Sequence, residues 1–301
     1  MKNKKILIIG FGNMGLSHFK SFAKKNYIIH IVEKSNNENI INLKKNKFYK
    51  KKFFIFKKIP NKKNYLLTIS STASKERYHL IKRFFENNKT QYLLLEKFCF
   101  FSIHQFTNFK KKFNNKAKVF INSWGYILAR KSALKSKLKK FRVVCYVKEG
   151  NLLANITHLF HFFNYLNNKK SVKNFSDSNS KIIQNISRKS YDELSTTIKI
   201  EGVNKNEMTI QTKKKMKDLI TFFVFQEYPK VDFKLSIKNN NTIHFYSFGI
   251  KKNKIPFPFS SKTSYIFLKE LIKNNFNFMP SFVNDCELSK ILLGKLKVKI
   301  P

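Results

Sequence analysis

Three glycines near the start of the chain have the spacing of a turn that binds the pyrophosphate of a dinucleotide. The turn has the G-x-G-x-x-G sequence and consists of Gly10, Phe11, Gly12, Asn13, Met14 and Gly15. In such a turn the first glycine makes the tight bend, the second lets the backbone approach the pyrophosphate, and the third lets a helix pack closely on a strand. The backbone N–H groups at the start of that helix then bind the phosphates. We therefore predict cofactor contacts from the three glycines and from Asn13 and Met14.

The segments around this turn are those that a dinucleotide site requires. The apolar run Ile6–Ile9 is typical of a buried parallel strand, and apolar residues at helical spacing follow the turn. A second apolar segment, Tyr27–Val32, ends at Glu33. An acid about 20 residues after the turn accepts a hydrogen bond from a ribose 2′-hydroxyl. The alternative is a glycine-rich turn in a Rossmann-like domain that binds no dinucleotide.

The strand predicted over Tyr65–Ser71 ends in small hydroxyl residues. Ser70, Ser71 and Thr72 could bond a cofactor through their hydroxyl or backbone groups. Alternatively, they only cap the helix that follows. In an open parallel sheet, ligands bind outside the carboxyl ends of the strands. We therefore expect these residues to line the same crevice as Gly10.

A lysine is the first candidate for proton transfer. Lys97 follows Glu96 at the end of the strand predicted over Tyr92–Leu95, so the same crevice should pass beside it. A lysine near bound substrate can hold a hydroxyl oxygen and relay a proton, and desolvation lowers the pKa of such an amine. The chain has 56 lysines, so the alternative for Lys97 is an ordinary surface residue.

A histidine is the second candidate. His158 lies between apolar neighbours on the helix predicted over Leu152–Leu166. Histidine accepts a proton near neutral pH, which suits a general base. His161 lies one turn later on the same face, but no third ligand is evident nearby, so we predict no metal site. The alternative is that both histidines are half-buried packing residues.

The order of predicted elements indicates two domains of different architecture. Strands and helices alternate through residues 1–123, which predicts a doubly wound parallel sheet with helices on both faces. Residues 124–301 are predicted to form an α+β domain with a mostly antiparallel open sheet. Its predicted features include a helix over Ala129–Lys140, a turn at Asn239–Asn241, a loop over Ile250–Ser261 and closing helices over Lys262–Asn274 and Asn284–Lys295.

The charge of the chain has a compositional explanation. Its 301 residues carry a net charge of +44, which would normally indicate a nucleic-acid or membrane partner. However, the chain has 56 lysines and only five arginines, and its abundant lysine, asparagine, isoleucine and phenylalanine have A/T-rich codons. Arginine is the better residue for reading bases and phosphates. We therefore expect no specific nucleic-acid partner, and a polyanion-binding protein is kept as an alternative.

Cysteine usage and hydropathy bear on the compartment. Cys99, Cys145 and Cys286 lie far apart without a C-x-x-C pair, which is typical of a reducing compartment. No apolar run reaches the length of a membrane span. Met1–Lys5 leads directly into a strand, so we expect no signal peptide. These features predict a soluble, cytoplasmic protein without a membrane partner.

Several segments match the motifs of one known family. The glycine turn and the residues up to His18 read G-x-G-x-x-G-x-x-H, and Glu96-Lys97 reads as the start of an E-K-P motif. Gly150–His161 is similar to a substrate-domain helix that carries a catalytic histidine. Together with Leu66–Thr72 and Met279–Phe282, these segments resemble the glucose–fructose oxidoreductase / inositol dehydrogenase (Gfo/Idh/MocA) family. The likeness runs from Lys4 to about Leu296.

This resemblance implies an NAD(P)-dependent oxidoreductase. It would transfer a hydride between nicotinamide and the hydroxyl or keto carbon of a sugar, nucleotide sugar or cyclitol. Lys97 and His158 would form the acid–base pair, and Glu96 and Lys97 would also contact the cofactor. Glu33 favours NAD, because a 2′-phosphate would meet a carboxylate, whereas the adjacent Lys34 keeps NADP open. Family members commonly associate through the open sheet of the second domain, so a homo-oligomer is implied.

Three positions depart from the family pattern. Phe98 replaces the proline of E-K-P, Ala154 replaces an aspartate before His158, and His161 replaces an aspartate after it. One branch of the family, linked to bacterial surface-polysaccharide genes, also lacks the proline and has asparagine at the position of Asn155. That branch implies an activated or nucleotide-linked sugar, with Asn155 and His161 as substrate-binding residues. The departures also leave open a degenerate member that binds a dinucleotide and does little chemistry.

Overall fold

A computed structural model describes residues 5–46, 53–132, 140–168, 172–184, 192–202, 205–226, 231–238, 242–247, 250–256 and 263–296. The chain divides into two compact units. The first comprises Met1–Ser123 and Phe259–Lys290, and the second comprises Trp124–Pro258 and Ile291–Ile300. We predicted that residues 124–301 all belong to the second domain. The structure differs, because Phe259–Lys290 return to the first unit.

The described part of the first unit is built on a six-stranded sheet. Its strands are β1 (Lys5–Ile9), β2 (Ile28–Val32), β3 (Phe53–Phe56), β4 (Asn64–Ser70), β5 (Lys89–Leu95) and β6 (Lys118–Ile121). The spatial order is β3-β2-β1-β4-β5-β6, and all neighbouring strands pair in parallel. The predicted doubly wound sheet is therefore confirmed. Its strand order reverses between β1 and β4, which is where such sheets bind ligands.

The helices follow the apolar periodicity of the sequence. Those described are α1 (Asn13–Phe22), α2 (Glu38–Lys45), α3 (Ser74–Asn87), α4 (Ile103–Phe113), α5 (Trp124–Lys131), α6 (Leu152–Leu166), α7 (Ser264–Ile272) and α8 (Phe282–Leu296). The bounds of α4 and α6 are those predicted, because each has apolar residues at helical spacing from end to end. None of these described helices is long and apolar enough to cross a membrane.

Buried phenylalanines explain why the C-terminal segment belongs to the first unit. Phe282, at the start of α8, lies with its ring centroid 4.7 Å from that of Phe109 and 5.9 Å from that of Phe106, both on α4. Phe267 of α7 packs edge-to-face on Phe120 of β6 at 5.2 Å. The chain contains 33 phenylalanines, so apolar patterning alone cannot tell which rings pack together.

The described part of the second unit contains an eight-stranded sheet. The sheet is mostly antiparallel, as predicted. Its strands are β7 (Arg142–Lys148), β8 (Val172–Gln184), β9 (Asp192–Gly202), β10 (Glu207–Lys213), β11 (Ile220–Gln226), β12 (Val231–Ile237), β13 (Thr242–Ser247) and β14 (Ile250–Pro256). The order is β14-β13-β12-β11-β7-β10-β9-β8, with β7 and β10 as the described parallel pair. Phe162 of α6 packs on Phe222 of β11, with ring centroids 4.5 Å apart, so α6 covers one face of this sheet.

Two predicted elements of the second unit need correction. The loop predicted over Ile250–Ser261 begins instead as strand β14, which pairs with β13. Pro256 is the last residue of this strand, and β14 lies at the edge of the described sheet, where proline is found in strands. The helix predicted from Ala129 starts earlier, at Trp124. Its predicted continuation over residues 133–139 and the turn at Asn239–Asn241 lie outside the described residues.

Close packing of α5 on α6 depends on Gly125, which gives a testable prediction. A Cβ atom added there would lie 1.8 Å from the carbonyl oxygen of His158. Gly125→Ala should therefore push the two helices apart and lower the free energy of unfolding by about 1–3 kcal/mol. Urea denaturation followed by circular dichroism measures this. Gly12→Ala is the control, since its Cβ would meet nothing within 4 Å, and equal stability losses in both variants would contradict the packing argument.

Candidate functional site

Two glycines of the turn after β1 are required by packing. Gly10 has a φ of +88°, and a Cβ there would lie 2.7 Å from Cγ2 of Thr72. A Cβ at Gly15 would lie 2.2 Å from the carbonyl oxygen of Gly10. The first glycine thus allows the bend beside the turn after β4, and the last allows α1 to pack on the end of β1.

Gly12 differs from its neighbours, because its Cα faces open space. A Cβ there would have no atom within 4 Å. Gly12 immediately precedes α1, whose start has no side-chain cap and no acidic residue in its first turn. Asn13 and Met14 are exposed at this helix start, and Asn13 Oδ1 accepts a hydrogen bond from Asn39 Nδ2 at 3.4 Å. The arrangement leaves room for an anion beside backbone N–H groups at the positive end of a helix dipole.

The carboxylate of Glu33 is held against the glycine turn. The backbone N–H of Phe11 donates to Oε2 at 2.7 Å, and the N–H and hydroxyl of Ser35 donate to Oε1 at 3.1 and 2.9 Å. Partial burial opposes ionisation of Glu33, but these hydrogen bonds outweigh it, so the pKa of the carboxyl is lowered. Glu33 therefore presents a negative charge at the end of β2.

A cavity of about 610 Å³ opens beside this carboxylate. Its volume is within the range of small-molecule and cofactor sites. Apolar side chains line part of it, and lysines and an arginine line the rest, together with the acids. The lining residues are Ile9, Gly10, Val32, Glu33, Lys34, Lys57, Lys58, Ile59, Asn61, Thr72, Ala73, Glu76, Leu80, Arg83, Glu86 and Asn87. The open glycine turn, the ionised acid and the cavity fit the phosphates, ribose and base of a dinucleotide.

The hydroxyl residues after β4 have different surroundings. Ser70 is fully buried, and Ser71 Oγ donates to the carbonyl oxygen of Gly10 at 2.8 Å. Thr72 lines the cavity. Of the three predicted cofactor ligands, Thr72 is therefore placed beside the cavity, whereas Ser71 ties the two turns together and Ser70 lies inside the fold.

Glu96 is not a surface ligand. Its carboxylate is buried, and Oε1 lies 2.7 Å from His18 Nε2 and also accepts a hydrogen bond from Asn122 Nδ2. The Nδ1 atom of the same histidine lies 2.7 Å from Ser264 Oγ. Burial alone would raise the pKa of Glu96, but the hydrogen bonds and the nearby charge of Arg77 lower it. The carboxylate thus joins α1 and the end of β6 inside the unit, with α7 linked through His18, and the cofactor contact predicted for Glu96 stays a prediction.

Lys97 lies at the end of β5, as predicted. It is half-buried, whereas its neighbours Glu96, Phe98, Cys99 and Phe100 are buried. Phe98, which stands where the resembling family has proline, packs into the core. Lys97 is therefore the more exposed residue of this turn, and a general acid or base must be able to reach its substrate.

Sequence reasoning missed Arg77, which binds the backbone around this lysine. Its Nη1 donates to the carbonyl oxygens of Glu96, Phe98 and Cys99, and its Nη2 donates to that of Thr72. The sequence did contain an indication that Arg77 is buried. Arg77 precedes Ile81 by one helical turn, so it lies on the apolar face of α3.

In the second unit, both histidines of α6 are buried. His158 is 4% exposed and its ring packs on that of Trp124, with centroids 4.9 Å apart. His161 is 1% exposed, and its predicted contact with substrate stays a prediction. Asn155 is half-buried, and its amide donates to the carbonyl oxygen of Asn151 at 2.8 Å. Within the described residues, no group of three His, Cys, Asp or Glu side chains could hold a metal ion.

A second residue that the sequence did not indicate caps α6. The buried Glu193 of β9 accepts a hydrogen bond from the backbone N–H of Leu153 at 3.2 Å. Asn151, at the start of α6, makes no side-chain cap. A carboxylate from a strand distant in sequence thus satisfies the N-terminus of the helix that carries His158.

Comparison with known proteins finds similar folds among solved structures. No family model and no curated protein matches the chain. Among solved structures, a super-repressor mutant of Gal80p from Saccharomyces cerevisiae has a TM-score of 0.74 at 12% identity, covering 98% of this chain and 96% of that one. UDP-N-acetylglucosamine 3-dehydrogenase GnnA from Acidithiobacillus ferrooxidans has a TM-score of 0.70 at 11% identity, with 98% and 96% covered.

A third solved structure extends the likeness. The dehydrogenase MviM from Clostridium difficile has a TM-score of 0.65 at 13% identity, covering 98% of this chain and 99% of that one. All three likenesses span nearly the whole chain, so they concern the complete fold and not only its Rossmann half. The Gfo/Idh/MocA type of fold, which the sequence resemblance implied, is thereby confirmed.

The open face at Gly12 gives the second prediction. Gly12→Ala should change the free energy of unfolding by less than about 1 kcal/mol, because the new methyl group meets no atom. The same methyl group should occupy the approach of the pyrophosphate and weaken NADH binding about tenfold or more. Fluorescence titration with NADH measures the affinity. Unchanged affinity would show that no pyrophosphate lies against Gly12.

Proposed function

We propose that this protein is an NAD(P)-dependent oxidoreductase acting on a hydroxyl or keto carbon of a sugar, nucleotide sugar or cyclitol. The observation that carries this proposal lies in the first unit. An uncapped helix start at an open glycine, a fixed carboxylate beside a cavity, and the half-buried Lys97 all lie at the carboxyl ends of one parallel sheet. In this class of sheet, that edge is where cofactor and substrate meet.

Specific residues would hold the cofactor. The backbone from Gly10 to Gly15 would bind the pyrophosphate, Glu33 would accept a ribose hydroxyl, and Thr72 would contact the cofactor from the turn after β4. The bound nicotinamide would supply or accept the hydride. Because the carboxylate of Glu33 is ionised and held in place, it would repel a 2′-phosphate, which favours NAD.

Lys97 would do the acid–base work in the first unit. Its ammonium would donate a hydrogen bond to the substrate oxygen, and its amine form would remove the hydroxyl proton as the carbonyl forms. His158, in the second unit, is proposed as the second member of the acid–base pair. Its packing on Trp124 and the close approach of Gly125 to its backbone would hold its ring in one orientation.

The structural comparisons support the class of reaction. Two of the three similar structures are dehydrogenases, and one of these is named for a nucleotide sugar, UDP-N-acetylglucosamine. At these low identities the likeness supports the proposal only together with the glycine turn, Glu33 and Lys97. A nucleotide-linked sugar is accordingly the first substrate class to test.

Turnover with a panel of nucleotide sugars and cyclitols tests this function. Purified protein with NAD(H) should change the absorbance of nicotinamide in the presence of one class of substrate. Lys97→Ala should lower turnover about 100-fold or more while NADH affinity stays nearly unchanged. Lys89→Ala, at the opposite end of β5, is the matched control and should retain activity. An unchanged rate in Lys97→Ala would remove this lysine from the mechanism.

Cofactor choice gives a further prediction. Glu33→Gln removes the negative charge beside the ribose, so the ratio of NADPH to NADH affinity should rise about tenfold or more. Competitive fluorescence titration of the two cofactors measures this ratio. Glu38→Gln, on the neighbouring α2, is the control for a general charge effect. If both variants shift the ratio equally, Glu33 does not read the ribose.

A second function has two observations in its favour. The solved structure of Gal80p from Kluyveromyces lactis, described as a transcriptional regulator, also has this fold. Its TM-score is 0.67 at 14% identity. Both histidines of α6 are buried here. A dinucleotide-binding regulator would bind NADH tightly and turn over no substrate across a broad panel, whereas the proposed enzyme would do both.

A further inference from the structure

We propose that Arg77 is a positioning residue that fixes Lys97 relative to the cofactor-binding turn. The proposal rests on the function proposed above, and it concerns how that site is assembled within the first unit. Arg77 lies on α3 between two turns, one after β4 and one after β5. It does not line the cavity beside Glu33, and it would act through the backbone that it binds.

The contacts of Arg77 surround Lys97 in sequence. Its Nη1 donates to the carbonyl of Glu96, which belongs to the peptide bond leading into Lys97, and to the carbonyls of Phe98 and Cys99 that follow it. Both sides of the lysine are therefore bound to one nitrogen. With these carbonyls held, the direction of the Lys97 side chain is set by the backbone.

The second arm of the same guanidinium binds the other turn. Its Nη2 donates to the carbonyl of Thr72, the residue whose side chain lies against Gly10 and which lines the cavity. Because a guanidinium is planar and rigid, the distance between its two arms is fixed. Arg77 thus fixes the spacing between the turn that would hold the cofactor and the turn that carries the proton-transferring group.

The charges and dipoles around Arg77 favour a guanidinium that is held in one place. Arg77 is 2% exposed, and a buried cation needs hydrogen bonds and a nearby opposite charge to replace its lost hydration. Carbonyl dipoles supply the direct bonds, and the ionised Glu96 supplies the opposite charge. A lysine in the same place would keep the charge, but its single ammonium could not span both turns as a fork does.

Variants of Arg77 test the proposal through both activity and the reactivity of Lys97. Arg77→Lys and Arg77→Gln should lower kcat about 10- to 100-fold, because a misplaced catalytic group costs rate steeply. NADH affinity should change less than about threefold, since the glycine turn and Glu33 are intact. Competitive acetylation, resolved residue by residue with mass spectrometry, should show at least a twofold change in the rate at Lys97 and no change at Lys89.

A matched arginine serves as the control. Arg142 of β7 is exposed and pairs with Glu207 at 3.0 Å, so Arg142→Gln should alter neither kcat nor the labelling of Lys97. Arg77 variants that fold and keep both the kcat and the Lys97 labelling rate of the natural chain would overturn the proposal. If the natural chain has no turnover, the proposed function fails, but the labelling of Lys97 still decides whether Arg77 positions it.

A measurement on the natural chain covers the case in which neither variant folds. With five arginines in the sequence, guanidinium resonances can be resolved after ¹⁵N-arginine labelling. They can be assigned by replacing the other four arginines one at a time. Arg77 should show two separate Nη signals with slow exchange, because both arms are hydrogen-bonded. A single averaged signal would mean that the guanidinium rotates freely, which would overturn the proposal.

Discussion

A buried carboxylate directly after strand β5 constrains the packing of the first unit. Removing the charge of Glu96 from water is costly unless partners replace the lost hydration. His18 from α1 and Asn122 from the end of β6 bond the carboxylate, and Arg77 from α3 supplies the opposite charge. These elements must therefore meet around one point. Lys97, the next residue along the chain, takes its position from that meeting.

Acidic residues are scarce in this chain, and several of them are buried at structural junctions. The chain has 17 acidic and 61 basic residues, so basic side chains far outnumber the acids with which they could pair. Glu96, Glu193 and Asp285 are nevertheless buried. Glu193 caps the helix of His158, and Asp285 accepts hydrogen bonds from Cys99 and Ser289. The excess of lysine is thus a property of the protein surface, whereas these few buried acids connect separate elements in the interior.

The departures from the family pattern have different physical consequences. Phe98 stands where proline would stiffen the turn, and its buried ring anchors that turn by packing. The turn is therefore held in place without the proline. His161 stands where the resembled family has an aspartate, and its side chain is buried. Phe98 thus contributes packing at its turn, whereas His161 contributes a buried polar side chain to α6.

Local sequence patterns were enough to predict the parallel sheet, the glycine turn, the bounds of α4 and α6, and the positions of Glu33 and Lys97 at strand ends. These features are local, because the spacing of apolar residues and the residue types of a turn depend only on neighbouring positions in the sequence. The same patterns did not reveal the burial of Glu96, the cap from Glu193, or the return of residues 263–290 to the first unit. Arg77 illustrates the reason. Its place on the apolar face of α3 was readable, but its partners are carbonyls, which every residue carries. Only the tertiary structure decides which carbonyls a buried cation meets.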